Sequence, residues 1–163
     1  MDTGELRNLL CYWYSAKKSE ELITMRILYA ASEARPFAAS GGLADVAGSL
    51  PKALCAAGEE ACVVMPYYVN SFKPEQKEKM NYITNFTVPV GWRSQYCGLF
   101  SQQVDGVTYF FIDNEFYFKR DNGLYGYYDD AERYVFFSRA VLEMLKYIPV
   151  SYTHLRAHET KAN

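Results

Sequence analysis

Ser40-Gly41-Gly42-Leu43-Ala44-Asp45-Val46-Ala47-Gly48 follows a short apolar run, Ile27-Leu28-Tyr29-Ala30-Ala31, and a loop from Ser32 to Ser40 that contains Pro36. A continuous apolar run of this length suits a parallel strand buried on both faces. Two adjacent glycines free the backbone for φ > 0 and let a ligand approach with no Cβ in the way, while a helix starting there points unpaired N–H groups outward. The stretch therefore predicts strand, glycine turn and helix, with an anion site at the helix start and the carboxyl end of the strand. A Gly-Gly turn also serves plain helix–strand packing, and the pattern alone leaves both readings open.

On the carboxyl side, Val46, Ala47, Leu50 and Leu54 recur at three and four residues, the spacing of a helix with one buried stripe. Pro51 is expected to kink that helix, and Gly58 is placed to end it. Ala61-Cys62-Val63-Val64-Met65-Pro66 reads as a second parallel strand, completing a βαβ unit with a right-handed crossover. Lys73 to Lys79 is polar and predicts a short surface helix. Tyr82 to Val90, Gln95 to Val104 and Val107 to Ile112 are β-rich, and Asp105-Gly106 between the last two is a hairpin signal, so part of the sheet should be antiparallel or mixed. Asp129 and Glu132 have capping-box spacing, and Tyr134, Phe137, Val141, Met144, Leu145 and Ile148 then mark one face of a helix closed by Pro149.

Composition narrows the function classes. A chain of 163 residues is long enough for one well-buried domain and too short for two of ordinary size. With 50% hydrophobic and 17% aromatic residues it can bury a core, which excludes a disordered segment. Lysine plus arginine number 17 against 19 acidic residues, a net charge of −2, so there is no basic field to attract nucleic acid or an anionic membrane surface. Cys11, Cys55, Cys62 and Cys97 form no C-x-x-C pair, and the histidines, His154 and His158, stand at i, i+4 without a third ligand; no metal site is expected. The apolar run Leu9 to Tyr14 is short and is followed by Lys17, Lys18, Glu20 and Glu21 where a signal peptide would carry small residues, so a cytoplasmic, reducing location is expected.

Taken as one string, Met25 to Phe37 and Ser40 to Leu54 resemble the amino-terminal end of bacterial glycogen and plant starch synthases. The resemblance continues in Val63 to Tyr68, Tyr109 to Asn114, Leu124-Tyr125-Gly126 and Asp130 to Tyr134, in the same order, and covers about residues 25 to 148. It implies an α/β fold: the Rossmann-like amino-terminal domain of a GT-B glycosyltransferase, incomplete, with a mixed-sheet hairpin portion. It also implies a glycosyltransferase that moves glucose from ADP-glucose to the non-reducing end of an α-1,4-glucan such as glycogen, with retention and without a cofactor. The domain expectation is an upstream extension over 1–24, either a mis-chosen start codon or a short amphipathic helix, and then the truncated domain over 25–149. Residues 150–163, in which neither strand alternation nor family likeness is visible, are expected to be a non-native tail resembling translated cloning material.

For individual residues the resemblance implies a substrate-binding set of Ser40, Gly41, Gly42, Asp45 and Tyr125. Gly41 and Gly42 face the donor phosphates, where fixed N–H dipoles stabilise the charge that builds on the departing ADP. The family turn opens with lysine and threonine where this chain has Ala39 and Ser40; the lysine is absent, and Arg35 is the candidate replacement. Asp45 matches a position close to the substrate, although an aspartate in a first helical turn also complements the helix dipole. Tyr125 matches a tyrosine near the sugar cleft, where an aromatic face stacks on glucose, but with fifteen tyrosines packing is the competing account. Glu33, Asp113 and Glu115 are read as solvated loop carboxylates rather than a glycosidase pair. The family's catalytic glutamate, cleft histidine and basic phosphate-binding pair come from segments after Pro149, so no catalytic residue is expected here and the chain alone should not transfer glucose. Two alternatives remain: a non-catalytic α/β module binding α-glucan or a nucleotide sugar, and a transferase using UDP-glucose.

Overall fold

Strand β1 (Arg26–Ala30) is buried at its three central residues, and β2 (Glu60–Pro66) lies beside it in parallel, Ile27 opposite Ala61 and Tyr29 opposite Val63. Both are apolar on both faces, which suits strands covered on each side. The computed structural model describes residues 25–148 and, for the backbone, 154–157. The leader over 1–24, the closing Pro149 and the histidines His154 and His158 lie outside the described side chains.

Helix α1 (Gly42–Ala56) connects β1 to β2. After β2 come a short surface helix, α2 (Pro74–Glu78), then β3 (Asn81–Val90), β4 (Arg93–Val104) and β5 (Val107–Asp113), a single-turn helix α3 (Glu115–Phe118), helix α4 (Asp130–Met144) and strand β6 (His154–Ala157). The six strands form one sheet in the order β3-β4-β5-β2-β1-β6. β5, β2, β1 and β6 run parallel, while β3, β4 and β5 pair antiparallel, so β5 joins a parallel half to a hairpin arm. Asp105 and Gly106 turn between β4 and β5 with φ of 50° and 81°, the left-handed pair that a two-residue hairpin loop requires.

Several sequence expectations are corrected. The buried stripe of α1 is Ala44, Ala47, Gly48 and Pro51, and Val46 is exposed. Small residues face inward because α1 packs close to the Ser32–Ser40 loop: a Cβ on Gly48 would stand 3.0 Å from both the Cβ and the carbonyl oxygen of Arg35. The capping box at Asp129 and Glu132 does not form, since the N-cap Asp129 makes no side-chain capping bond. The stretch beyond Pro149, read without strand alternation, contributes β6, whose Leu155 stands opposite Leu28 in a parallel ladder.

The Ser32–Ser40 loop is fixed by aromatic packing. Phe37 is buried with ring centroids 5.0 Å from Phe72, 5.1 Å from Tyr109 and 4.8 Å from Phe111. Truncating such a ring to alanine costs about 3–5 kcal/mol, so Phe37 fixes the loop to the sheet and, through it, the start of α1.

Candidate functional site

The carboxyl ends of β1 and β2 and the loop before α4 meet on one side of the sheet. Ser32 and Glu33, directly after β1, hold two different walls. The Glu33 carboxylate accepts the backbone N–H of Ser40 at 2.5 Å, which fixes the residue before the glycines. Ser32 Oγ bonds the Tyr125 hydroxyl at 2.8 Å, and its carbonyl accepts from the Tyr68 hydroxyl at 2.7 Å. Tyr68 in turn meets the Tyr134 hydroxyl at 3.0 Å, and Tyr134 donates to the Leu124 carbonyl at 3.2 Å. Burial pushes the hydroxyls of Tyr68, Tyr125 and Tyr134 above the ordinary tyrosine range, so the protons that hold this chain of hydrogen bonds stay in place in alkaline solution as well as at neutral pH.

The Leu124–Tyr127 segment is held from below by an ion pair between a buried arginine and a half-buried aspartate. Arg133 is fully buried, meets Asp130 at 2.5 Å, and donates to the carbonyls of Tyr117 at 2.7 Å and Leu124 at 3.3 Å. The other Asp130 oxygen accepts from the amides of Gly126 and Tyr127 at 2.7 and 3.2 Å. Every partner of the guanidinium is thus an acceptor or an aromatic face, with the Tyr127 ring at 4.9 Å and the Tyr134 ring at 5.4 Å, which is how a buried charge is tolerated.

A groove of about 470 Å³ runs between these walls, lined by Arg35 to Ser40, Ser71, Lys73, Gly123 and Leu124. Ser40 lines it, Gly41 and Gly42 follow directly, and Tyr125 adjoins the lining residue Leu124. Gly41 is the N-cap of α1 with φ of −164°, an extended conformation, and its residue supplies no capping side chain. Neither glycine has φ > 0, so the expectation that the turn exploits left-handed backbone is corrected. A Cβ on Gly41 or Gly42 would meet nothing within 4 Å, so neither backbone strain nor internal packing demands glycine at either position.

Asp45 stands on the exposed flank of the first turn and pairs with Arg35. The guanidinium proposed as a stand-in for the missing lysine is therefore already occupied by an anion. Lys73 lines the groove as well, a cation that its place in a polar surface helix concealed in the sequence. Glu33 is also corrected: it is 3% exposed and hydrogen-bonded, not a solvated loop carboxylate. Asp113 is half-buried, and desolvation, with Glu115 adding to it, raises its carboxyl above the usual range. The signal that could have singled out Ser32, Glu33 and Tyr68 is their position directly after strands β1 and β2, at the sheet end where open α/β folds bind ligands.

Comparison with known proteins bears on the same region. A family model described as the starch synthase catalytic domain matches residues 26–159, ten residues past Pro149. A glycogen synthase of Caldicellulosiruptor bescii is 58% identical over 124 residues, 76% of this chain and 26% of that protein. A glycogen synthase of Geobacillus thermodenitrificans is 53% identical over 135 residues, 83% of this chain and 27% of its own. Among solved structures, the catalytic domain of starch synthase IV from Arabidopsis thaliana, bound to ADP and acarbose, superposes with a TM-score of 0.73 at 25% identity over 83% of this chain and 28% of that one. The chain spans about a quarter of the length of the curated relatives it matches.

Proposed function

Since the chain belongs to the starch synthase catalytic-domain family, with an α/β fold of the GT-B kind, we propose that it forms the donor-phosphate wall of a retaining glucosyltransferase. The reaction is transfer of glucose from ADP-glucose to the non-reducing end of an α-1,4-glucan, as in glycogen synthesis. One observation carries the reading: two consecutive glycines at an uncapped helix start, beside an open groove, whose absent Cβ atoms serve no purpose within the chain. A ligand that comes up against the backbone supplies the purpose. That the starch synthase IV structure was bound to ADP supports a diphosphate as that ligand.

In this reading the N–H groups of Gly41 and Gly42 and the dipole of α1 point at the donor phosphates. As the sugar–phosphate bond breaks, negative charge grows on the departing ADP, and dipoles already in place stabilise it without reorganising. Ser40 opens the turn. Asp45 keeps Arg35 on the flank of the groove, and Lys73 supplies the cation that Ala39 does not. Tyr125, its hydroxyl engaged by Ser32, offers ring surface to a glucose unit. In this proposal the chain, about a quarter of its relatives' length, supplies one wall of the donor site, and by itself it binds and does not transfer. No helix among the described residues is long and apolar enough to cross a membrane, and a cytoplasmic setting is part of the proposal.

The test is titration of the chain with ADP-glucose, followed through the amide resonances of Gly41 and Gly42. Both should shift in the wild type, and Gly42→Ala should weaken the response about tenfold or more while leaving the melting temperature unchanged or higher, because alanine suits a first helical turn and meets no neighbour. If ADP-glucose leaves both amides unmoved while maltoheptaose shifts the resonances around Tyr125, the non-catalytic α-glucan module is the correct reading.

A further inference from the structure

Glu33 is an unexpected group to find next to a phosphate wall. Its carboxylate is almost fully buried and lies against the amide of Ser40, the residue just before the N-cap of α1. A negative charge there repels an incoming diphosphate and is costly to desolvate. The arrangement makes sense if Glu33 acts through shape. Glycine loses more backbone freedom on ordering than any other residue, so a Gly-Gly turn holds no direction of its own. The residues on either side must impose one. Behind the turn, the Arg35 amide bonds the Ala44 carbonyl at 3.1 Å and ties the loop to the first turn of α1. In front of it, the Ser40 amide has its bond to Glu33, which fixes the Ala39–Ser40 peptide plane, one peptide unit before Gly41.

We propose that Glu33 is a positioning residue: its buried carboxylate, by accepting the Ser40 N–H, sets the direction in which the glycine amides of the turn face, so that the anion site is assembled before the ligand arrives. The proposal rests on the reading of the turn as the donor-phosphate wall. Pre-ordering of this kind raises affinity by removing an entropy cost from the binding step.

The experiment compares the wild-type chain with E33A and E33Q, using ADP as the probe and the Gly41 and Gly42 amide resonances as the readout. Glutamine keeps the shape and an accepting oxygen but removes the charge. Positioning predicts that E33A binds ADP at least tenfold more weakly, that E33Q stays within about threefold of wild type, and that the Ser40 amide, protected from hydrogen exchange in wild type and E33Q, exchanges freely in E33A. Equal or tighter ADP binding by both variants would overturn the proposal and mark Glu33 as a repulsive charge, while leaving the phosphate wall intact. If ADP shifts nothing in the wild type, the phosphate reading fails by itself. Glu33 is then judged on the exchange of Ser40: protection lost in E33A and kept in E33Q upholds its hold on the turn, and equal protection in all three removes it. E33Q also serves if E33A fails to fold.

Discussion

Glycine answers two different demands within eight residues of this chain, and the side chain that is missing decides which. At Gly48 the demand is internal: a methyl group would press on the Cβ and carbonyl oxygen of Arg35 at 3.0 Å, and the carbonyl is backbone that also accepts the Tyr109 hydroxyl. Gly48→Ala gains roughly 1 kcal/mol of helix propensity and loses about 1–3 kcal/mol to overpacking, so a net loss near 1 kcal/mol is expected in urea denaturation. A stabilised G48A variant would mean that Arg35 and its loop yield easily. At Gly41 and Gly42 the same substitution meets open space, and its effect should fall on binding. Sequence alone could not separate these cases, because a glycine's purpose lies in what occupies the space beside it. The same holds for Glu33: sequence places it after a strand, and only the fold reveals that the Ser40 amide has come round to meet it.

Between elements, long-range partners override local signals. Asp129 and Glu132 have the spacing of a capping box, yet Asp129 turns to Arg120 at 2.5 Å, and Glu132 accepts from both Arg93 of β4 and Tyr117 of α3. Donors from elsewhere in the fold, two of them guanidinium groups, compete successfully with a neutral amide three residues away. The strands, by contrast, were legible: apolar runs and the Asp105-Gly106 turn located β1, β2, β4 and β5 closely, since burial on both faces and a left-handed turn each impose residue types. Helix α3 carried no such mark, being one turn long, and β6 paired through a backbone ladder that its residue types do not announce. The displaced carboxylate has a measurable consequence. The hydrogen bond from Tyr117, helped by Arg93 and opposed by desolvation, holds the Glu132 carboxyl below the ordinary glutamate value of 4.5. Through that window the unfolded chain binds more protons than the folded one, so the contribution of Glu132 is present above the ordinary value and disappears as the pH falls through the lowered one. The stability difference between wild type and Glu132→Gln should therefore be largest near neutral pH and close on acidification. A difference constant from pH 7 to pH 3 would show that the Tyr117 and Arg93 contacts do not depend on the charge.

At the scale of the whole molecule, the sheet order sets the proposed ligand side on a strand that depends on β6 for its second neighbour. β1 carries Ser32 and Glu33 at its carboxyl end and is paired on one side by β2 and on the other only by β6, through Ile27–Ala30 opposite His154–Ala157. β1 is buried at Ile27, Leu28 and Tyr29, so a chain lacking β6 would present an apolar strand with unpaired N–H and C=O groups along its whole length. Such an edge recruits other strands. Deleting residues 150–163 should cost about 2 kcal/mol or more from the lost ladder, lower the melting temperature by several degrees, and produce light scattering that grows with protein concentration. Because Ser32 and Glu33 follow β1 directly, the same deletion should loosen the Tyr125 and Ser40 contacts and weaken the ADP response of the glycine amides in parallel. If the shortened chain melts at the wild-type temperature, stays monomeric and responds to ADP as before, β6 is a passive neighbour of β1, and the support for the site comes wholly from β2, α1 and the aromatic packing around Phe37.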